Sequence, residues 1–164
     1  NQTGRTARFV HTLNGSESPF ETTARVLWND TYMYLAIEVQ DTNIQSRIQE
    51  HDGALYTEDA VELMLDPDGD GRNYVEIQVS PTGTVFDARY TQRRRPEGGD
   101  RSFETRLQQA TVIRGTPNDG QADEGYTMEL AIPWAAFSEG LPNTERPNPG
   151  AFCMRLNPVR SLGI

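Results

Sequence analysis

Hydrophobic and polar residues alternate with a period of two along most of the chain, and that alternation predicts strands. Met33, Leu35, Ile37 and Val39 fall on one face of a segment whose other face carries Tyr34, Ala36, Glu38 and Gln40. Val26-Leu27-Trp28 precedes it across Asn29-Asp-Thr31, whose Asx side chains can bond their own backbone and so predict a turn. Val61, Leu63 and Leu65 alternate with Ala60, Glu62 and Met64, and Val75, Ile77 and Val79 alternate with Tyr74, Glu76 and Gln78. Ser80-Pro-Thr-Gly83 turns the chain into Val85–Tyr90, and further strands fall over Ala110–Ile113, Tyr126–Ile132 and Ala151–Asn157, with a helical turn opened by Pro133-Trp134. Many short strands with scarcely any helical period predict an all-β fold, an antiparallel β-sandwich of jelly-roll type with short helical turns. No linker interrupts the pattern, so residues 1–164 read as a single domain.

Composition narrows the functions open to such a domain. The net charge is −9, and all fifteen cationic residues are arginine. That balance disfavours nucleic acid and anionic lipid as partners. The basic run Arg93-Arg94-Arg95 with Arg101 sits among Pro and Gly and reads as a solvated loop. No apolar run approaches the ~18 residues of a membrane helix, so no transmembrane segment is expected. No signal peptide precedes Asn1, and an exported chain would have lost its targeting segment. Cys153 is the single cysteine, which excludes an internal disulfide and fits a small buried hydrophobe.

The candidate chemistry lies on carboxylates. Closing the first hairpin over Asp66–Arg72 sets Glu62 opposite Glu76, and closing the second over Ser80–Gly83 sets Glu76 opposite Asp87 and Tyr74 opposite Arg89. A row of Glu62, Glu76 and Asp87 calls for compensation by Arg89, Arg155, a cation or ligand hydroxyls; otherwise it is a solvated face. Glu38 and Glu129 share the parity of that row in their own strands. Tyr56, six residues before Glu62, could offer its ring to the C–H face of a sugar beside these polar groups, or simply cap the sandwich edge. Asp66, Asp68 and Asp70 stand at alternate positions, with Gly69 and Gly71 for a tight turn, which suits a calcium ion or a plain acidic turn; Ile77 at the twelfth position excludes an EF-hand. Asn118–Gly125 is a weaker oxygen-rich loop of the same kind. No serine-hydrolase elbow, zinc-protease motif or phosphate loop occurs, and His11 and His51 read as surface residues. Enzymatic activity is not expected, and carboxylates on neighbouring strands at about 5 Å offer no cleft that would distort a sugar.

Several phrases, in order, resemble the family 9 carbohydrate-binding modules: Leu27-Trp-Asn-Asp-Thr-Tyr-Met-Tyr-Leu-Ala36, Leu55-Tyr-Thr-Glu-Asp-Ala-Val-Glu62, Asn73 to Asp87, and Glu129-Leu-Ala-Ile-Pro-Trp134. The resemblance implies a sandwich with structural calcium that binds oligosaccharide or polysaccharide without catalysis, in exported bacterial proteins of the extracellular space or periplasm. In that family a sugar is held between two tryptophans, the first at the position of Tyr56, with Glu62 as polar contact. The second follows the strand ending at Asn157, where this chain has Pro158–Ile164. Tyr56 and Glu62 from the resemblance, taken with the carboxylate row, give a candidate sugar site of Tyr56, Glu62, Glu76, Asp87, Arg89 and Asn157, and the acidic loop gives a candidate calcium site of Asp66, Asp68 and Asp70. The opening lacks the family's usual Asp-Gly segment, so 1–164 reads as a piece of a longer chain. Two alternatives stand beside this: a scaffold domain packed against other protein subunits of an envelope assembly, and, more remotely, a haem-b sandwich using methionine ligands.

Overall fold

A computed structural model describes residues 4–6, 9–10, 14–18, 20–92, 98–137 and 153–159. The alternating segments form strands β1 (Gly4–Arg5), β2 (Thr22–Trp28), β3 (Tyr32–Val39), β4 (Ala60–Asp66), β5 (Tyr74–Val79), β6 (Val85–Tyr90), β7 (Gln108–Arg114), β8 (Gly125–Pro133) and β9 (Cys153–Val159). They pair antiparallel in two sheets, ordered β1-β2-β3-β8-β7 and β6-β5-β4-β9. Short 3-10 turns at Leu55–Thr57 and Trp134–Phe137 supply the expected helical turns.

The strands have two unlike faces, so the sheets stack on their apolar sides. Met33, Leu35, Ile37, Val39, Met128, Leu130 and Ile132 of one sheet bury against Val61, Leu63, Leu65, Val75, Ile77 and Val79 of the other. Phe103, Trp134 and Phe137 close the ends, and the Trp134 indole N–H donates to the Asn29 carbonyl at 2.8 Å. Trp28, at the end of β2, is 52% exposed and belongs to the rim. Gly125 has φ +122°, and a Cβ there would lie 2.0 Å from the Val39 carbonyl, so only glycine lets β8 begin beside β3.

The registers correct the expected carboxylate row. Between β4 and β5, Glu62 pairs with Gln78 and Met64 with Glu76, a shift of two residues that keeps every side chain on its expected face. Between β5 and β6 the shift is one residue: Glu76 pairs with Ala88, Ile77 with Asp87, Val75 with Arg89 and Tyr74 with Tyr90. A one-residue shift exchanges the faces. The cause is the turn, in which Ser80 N–H bonds the Thr84 carbonyl and Gly83 takes φ +92°, leaving a three-residue loop where four had been counted. Asp87 and Arg89 therefore point to the side opposite Glu62 and Glu76. Phe86 and Ala88 face outward instead, where Leu55 and Ile48 of the long β3–β4 connection cover them in a second, smaller core.

That connection carries few strand bonds of its own and is held by carboxylate and amide side chains. Asp41 accepts from Asn43 N–H, Asp123 from Ile44 N–H, Asp59 from Gln45 N–H, Asn118 Oδ1 from Ser46 N–H and Glu58 from Arg47 and Ile48 N–H. Buried backbone donors need such partners. Asn118 and Asp123, expected as part of a cation loop, serve as anchors of this segment.

Candidate functional site

On the four-stranded sheet, the register sets three of the expected sugar contacts, Glu62, Glu76 and Asn157, on neighbouring strands. The 3-10 turn Leu55–Thr57 lies against β5, with Leu55 buried beside Phe86 and Ala88 and Tyr56 63% exposed. Glu62 on β4 lies half-buried, flanked in register by Gln78 of β5 on one side and Asn157 of β9 on the other. One step along, Glu76 and Met64 are followed by Arg155, which is exposed.

Polar groups on this face are held in place by the protein itself. Gln78, only 2% exposed, donates Nε2 to Glu76 Oε1 at 2.7 Å. Tyr90 hydrogen-bonds the same carboxylate, and burial, reinforced by the Glu76 charge and that bond, pushes the Tyr90 hydroxyl well above its ordinary pKa. The rings of Tyr74 and Tyr90 stack, centroids 5.1 Å apart and planes inclined by 6°. Glu76 thus has an oriented carboxylate beside an aromatic pair, and preorganised acceptors next to a ring are what a polyhydroxylated ligand needs.

Of the remaining expected contacts, Asp87 and Arg89 do not join this face. Asp87 is 1% exposed on the other side of β6, and its Oδ2 accepts from Thr105 N–H at 2.8 Å and from the Thr105 hydroxyl. Burial raises its carboxyl above the usual range, outweighing the two Thr105 hydrogen bonds. Arg89 Nη2 contacts Asp100 Oδ2 at 3.2 Å and its guanidinium lies 5.8 Å from the Phe103 ring centre, so its charge closes a loop. Glu38 and Glu129 belong to the outer face of the other sheet, where Glu38 meets Arg114 at 4.0 Å. Arg101 stands 5.3 Å over the Phe86 ring, while Arg93–Arg95, His11 and the residues after Val159 lie outside the described ones.

In the β4–β5 loop, Asp66, Asp68 and Asp70 each offer a carboxylate oxygen within 4.8 Å of the others. The loop orients them through its own backbone: Asp66 accepts from Gly69 and Gly71 N–H at 2.9 and 2.8 Å, and Asp70 from Arg72 N–H at 2.7 Å. The donor set is all oxygen, which suits a hard cation. Gln78 reaches Glu76 from two residues along the same strand, whereas the contact of Tyr90 with Glu76 depends on the β5–β6 register, which the sequence alone did not supply.

The fold is an antiparallel sandwich, and one outer face of it carries an exposed ring, Tyr56, and an oriented carboxylate, Glu76. Residues 2–154 match the family described as carbohydrate family 9 binding domain-like, and the chain belongs to that family. It is 27% identical over 116 residues to the Exoglucanase XynX of Acetivibrio thermocellus, spanning 71% of this chain and about 9% of that much longer protein. Among solved structures, a candidate carbohydrate-binding protein from Bacteroides uniformis superimposes with TM-score 0.68 at 13% identity, covering 93% of this chain and 85% of that one. A family 9 module from Caldicellulosiruptor kristjanssonii in complex with cellotriose gives TM-score 0.54 at 19% identity, over 89% of this chain and 62% of that one. The two solved structures share the fold of this chain.

Proposed function

We propose that this domain is a carbohydrate-binding module that holds an oligosaccharide or polysaccharide on the outer face of the four-stranded sheet and releases it unchanged. The observation that carries the reading is Tyr56, a 63% exposed ring next to buried Leu55 on a turn that contacts β5, the strand of Glu76. A pyranose presents C–H bonds on one face and hydroxyls around its rim. Stacking on Tyr56 leaves the rim hydroxyls to donate to Glu62 and Glu76, with Asn157 and Arg155 on the neighbouring strand. The Caldicellulosiruptor relative was solved with cellotriose and with glucose, which makes β-glucans the first ligands to test.

No step of bond cleavage is assigned to these groups, because the carboxylates lie on an open sheet face with Glu76 engaged by Gln78 and Tyr90. Export to the envelope or the extracellular space accords with insoluble glycans as targets, and the described residues contain no helix long and apolar enough to cross a membrane. Calcium at Asp66, Asp68 and Asp70 would rigidify the β4–β5 hairpin from the far end of the same sheet. Calorimetry with cello-oligosaccharides tests the reading: wild type binds, and Tyr56→Ala binds at least about tenfold more weakly, a loss of ~1.4 kcal/mol. Equal affinity in that variant removes the stacking role, and turnover of a chromogenic glycoside that Glu62→Gln abolishes would make the face catalytic.

A further inference from the structure

A different cluster lies where the sheets part, beside edge strand β6. A cleft of about 500 Å³ opens there, lined by three segments remote in sequence: Gln49 and His51, the β6 hairpin from Thr82 to Asp87, and the strap from Glu104 to Leu107. His51, Asp87 and Glu104 each bring a ligand atom to within 4.8 Å of the other two. His51 Nε2 stands 3.2 Å from Glu104 Oε1. Two donors on one ion at 2.0–2.2 Å are separated by roughly 3.0–3.5 Å, so this pair already has the right bite.

Exposed acidic groups often gather without binding anything, and Asp87 is what distinguishes this cluster. Its side chain is buried, Oδ2 is saturated by Thr105, and Oδ1 is buried with no hydrogen-bond partner at all. A buried acceptor left unpaired is costly, and more so when the group is charged. The backbone holds the group firmly, since Asp87 N–H donates to Asp52 Oδ1 at 3.1 Å, and the same Asp52 oxygen lies 3.8 Å from His51 Nε2. His51 and Glu104 are half-exposed and free to adjust, whereas Asp87 is fixed: one rigid ligand with two adaptable ones.

We propose that His51, Asp87 and Glu104 bind a divalent transition-metal ion of the zinc class, with the remaining coordination positions open to the cleft. One imidazole and two carboxylates form a mixed nitrogen and oxygen set that suits zinc and its neighbours, whereas calcium wants six to eight oxygens. Bound there, the ion ties the segment after β3, the edge strand β6 and the 104–107 strap together, and Thr105 and Asp52 serve as the outer supports of its ligands. The site is separate from the Tyr56 face, because Asp87 points to the opposite side of β6.

The test uses the full chain after chelator treatment and dialysis, titrated with zinc. The chain has two histidines, so imidazole NMR resonances assign the ligand directly. One zinc equivalent should shift the His51 signals and leave His11 unmoved, and a tenfold excess of calcium, taken as about 1.4 kcal/mol of mass action, should not displace it. His51→Ala and Glu104→Gln, both at exposed positions where the fold tolerates change, should each weaken zinc binding beyond the ~10–100-fold expected for loss of an outer support. Zinc that leaves His51 unmoved, binding that survives His51→Ala within about twofold, or ready displacement by calcium would each overturn the proposal.

Discussion

The two sheets each turn an outer face to solvent, and the proposed sugar site lies on one of them. The five-stranded sheet has a groove of about 520 Å³ floored by Ala36, Ala110 and Ala131 and edged by Leu27, Tyr34, Arg25 and Glu129. Tyr34 is 37% exposed and its hydroxyl receives a hydrogen bond from Asn29 Nδ2 at 3.2 Å. On the four-stranded sheet the exposed ring, Tyr56, comes from a covering loop, and the carboxylate beyond it is fixed by Gln78 and Tyr90. Preorganisation separates the two faces, because an acceptor already held in place spends less entropy on binding.

If the loop that carries Tyr56 creates the difference, releasing the loop should have the largest consequence. Asp123→Ala removes acceptors from two backbone donors, Ile44 N–H and Thr116 N–H, both at 2.8 Å. Destabilisation of roughly 2–4 kcal/mol is expected in urea unfolding, together with weaker glycan binding. The β4–β5 hairpin gives the next effect. Adding calcium at a hundredfold excess over its dissociation constant to chelator-treated protein should stabilise it by about 2.7 kcal/mol, and Asp68→Asn should reduce the rise in melting point. A melting point indifferent to calcium would leave Asp66, Asp68 and Asp70 as an acidic turn.

Smaller changes sharpen the contrast between the faces. Tyr90→Phe removes one hydrogen bond to Glu76 and should cost about 0.5–1.5 kcal/mol of stability, with a matching loosening of glycan affinity. Tyr34→Ala, on the five-stranded face, should leave calorimetric affinity within roughly 0.5 kcal/mol, the range of substitutions away from a site. A large loss on Tyr34→Ala with none on Tyr56→Ala would move the site to the other sheet.

How much of this the sequence carried depends on range. Alternation in Met33–Val39 and Val75–Val79 reports burial locally, residue by residue, and those strands lie where they were expected. Tyr56, on its 3-10 turn, and Glu62, on its strand, are six residues apart on one continuous stretch, so the placement of both elements was local. Asp87 was not. Its face turns on whether the Ser80–Gly83 turn counts three residues or four, and the apolar set Phe86 and Ala88 is outward because a loop some thirty residues upstream covers it. The same error hid His51 and Glu104, which meet Asp87 only through the topology that lays the strap after β6 along the sandwich edge.

The central claim is that sugar binds the Tyr56 face, and amide chemical shifts during a cellotriose titration test it most directly. The account predicts that the perturbed amides cluster at Leu55–Thr57, Glu62, Glu76 and Arg155, while those of Leu27, Tyr34, Ala110 and Glu129 stay still. Perturbations confined to the latter group, or none at saturating cellotriose and longer β-glucans, would contradict it.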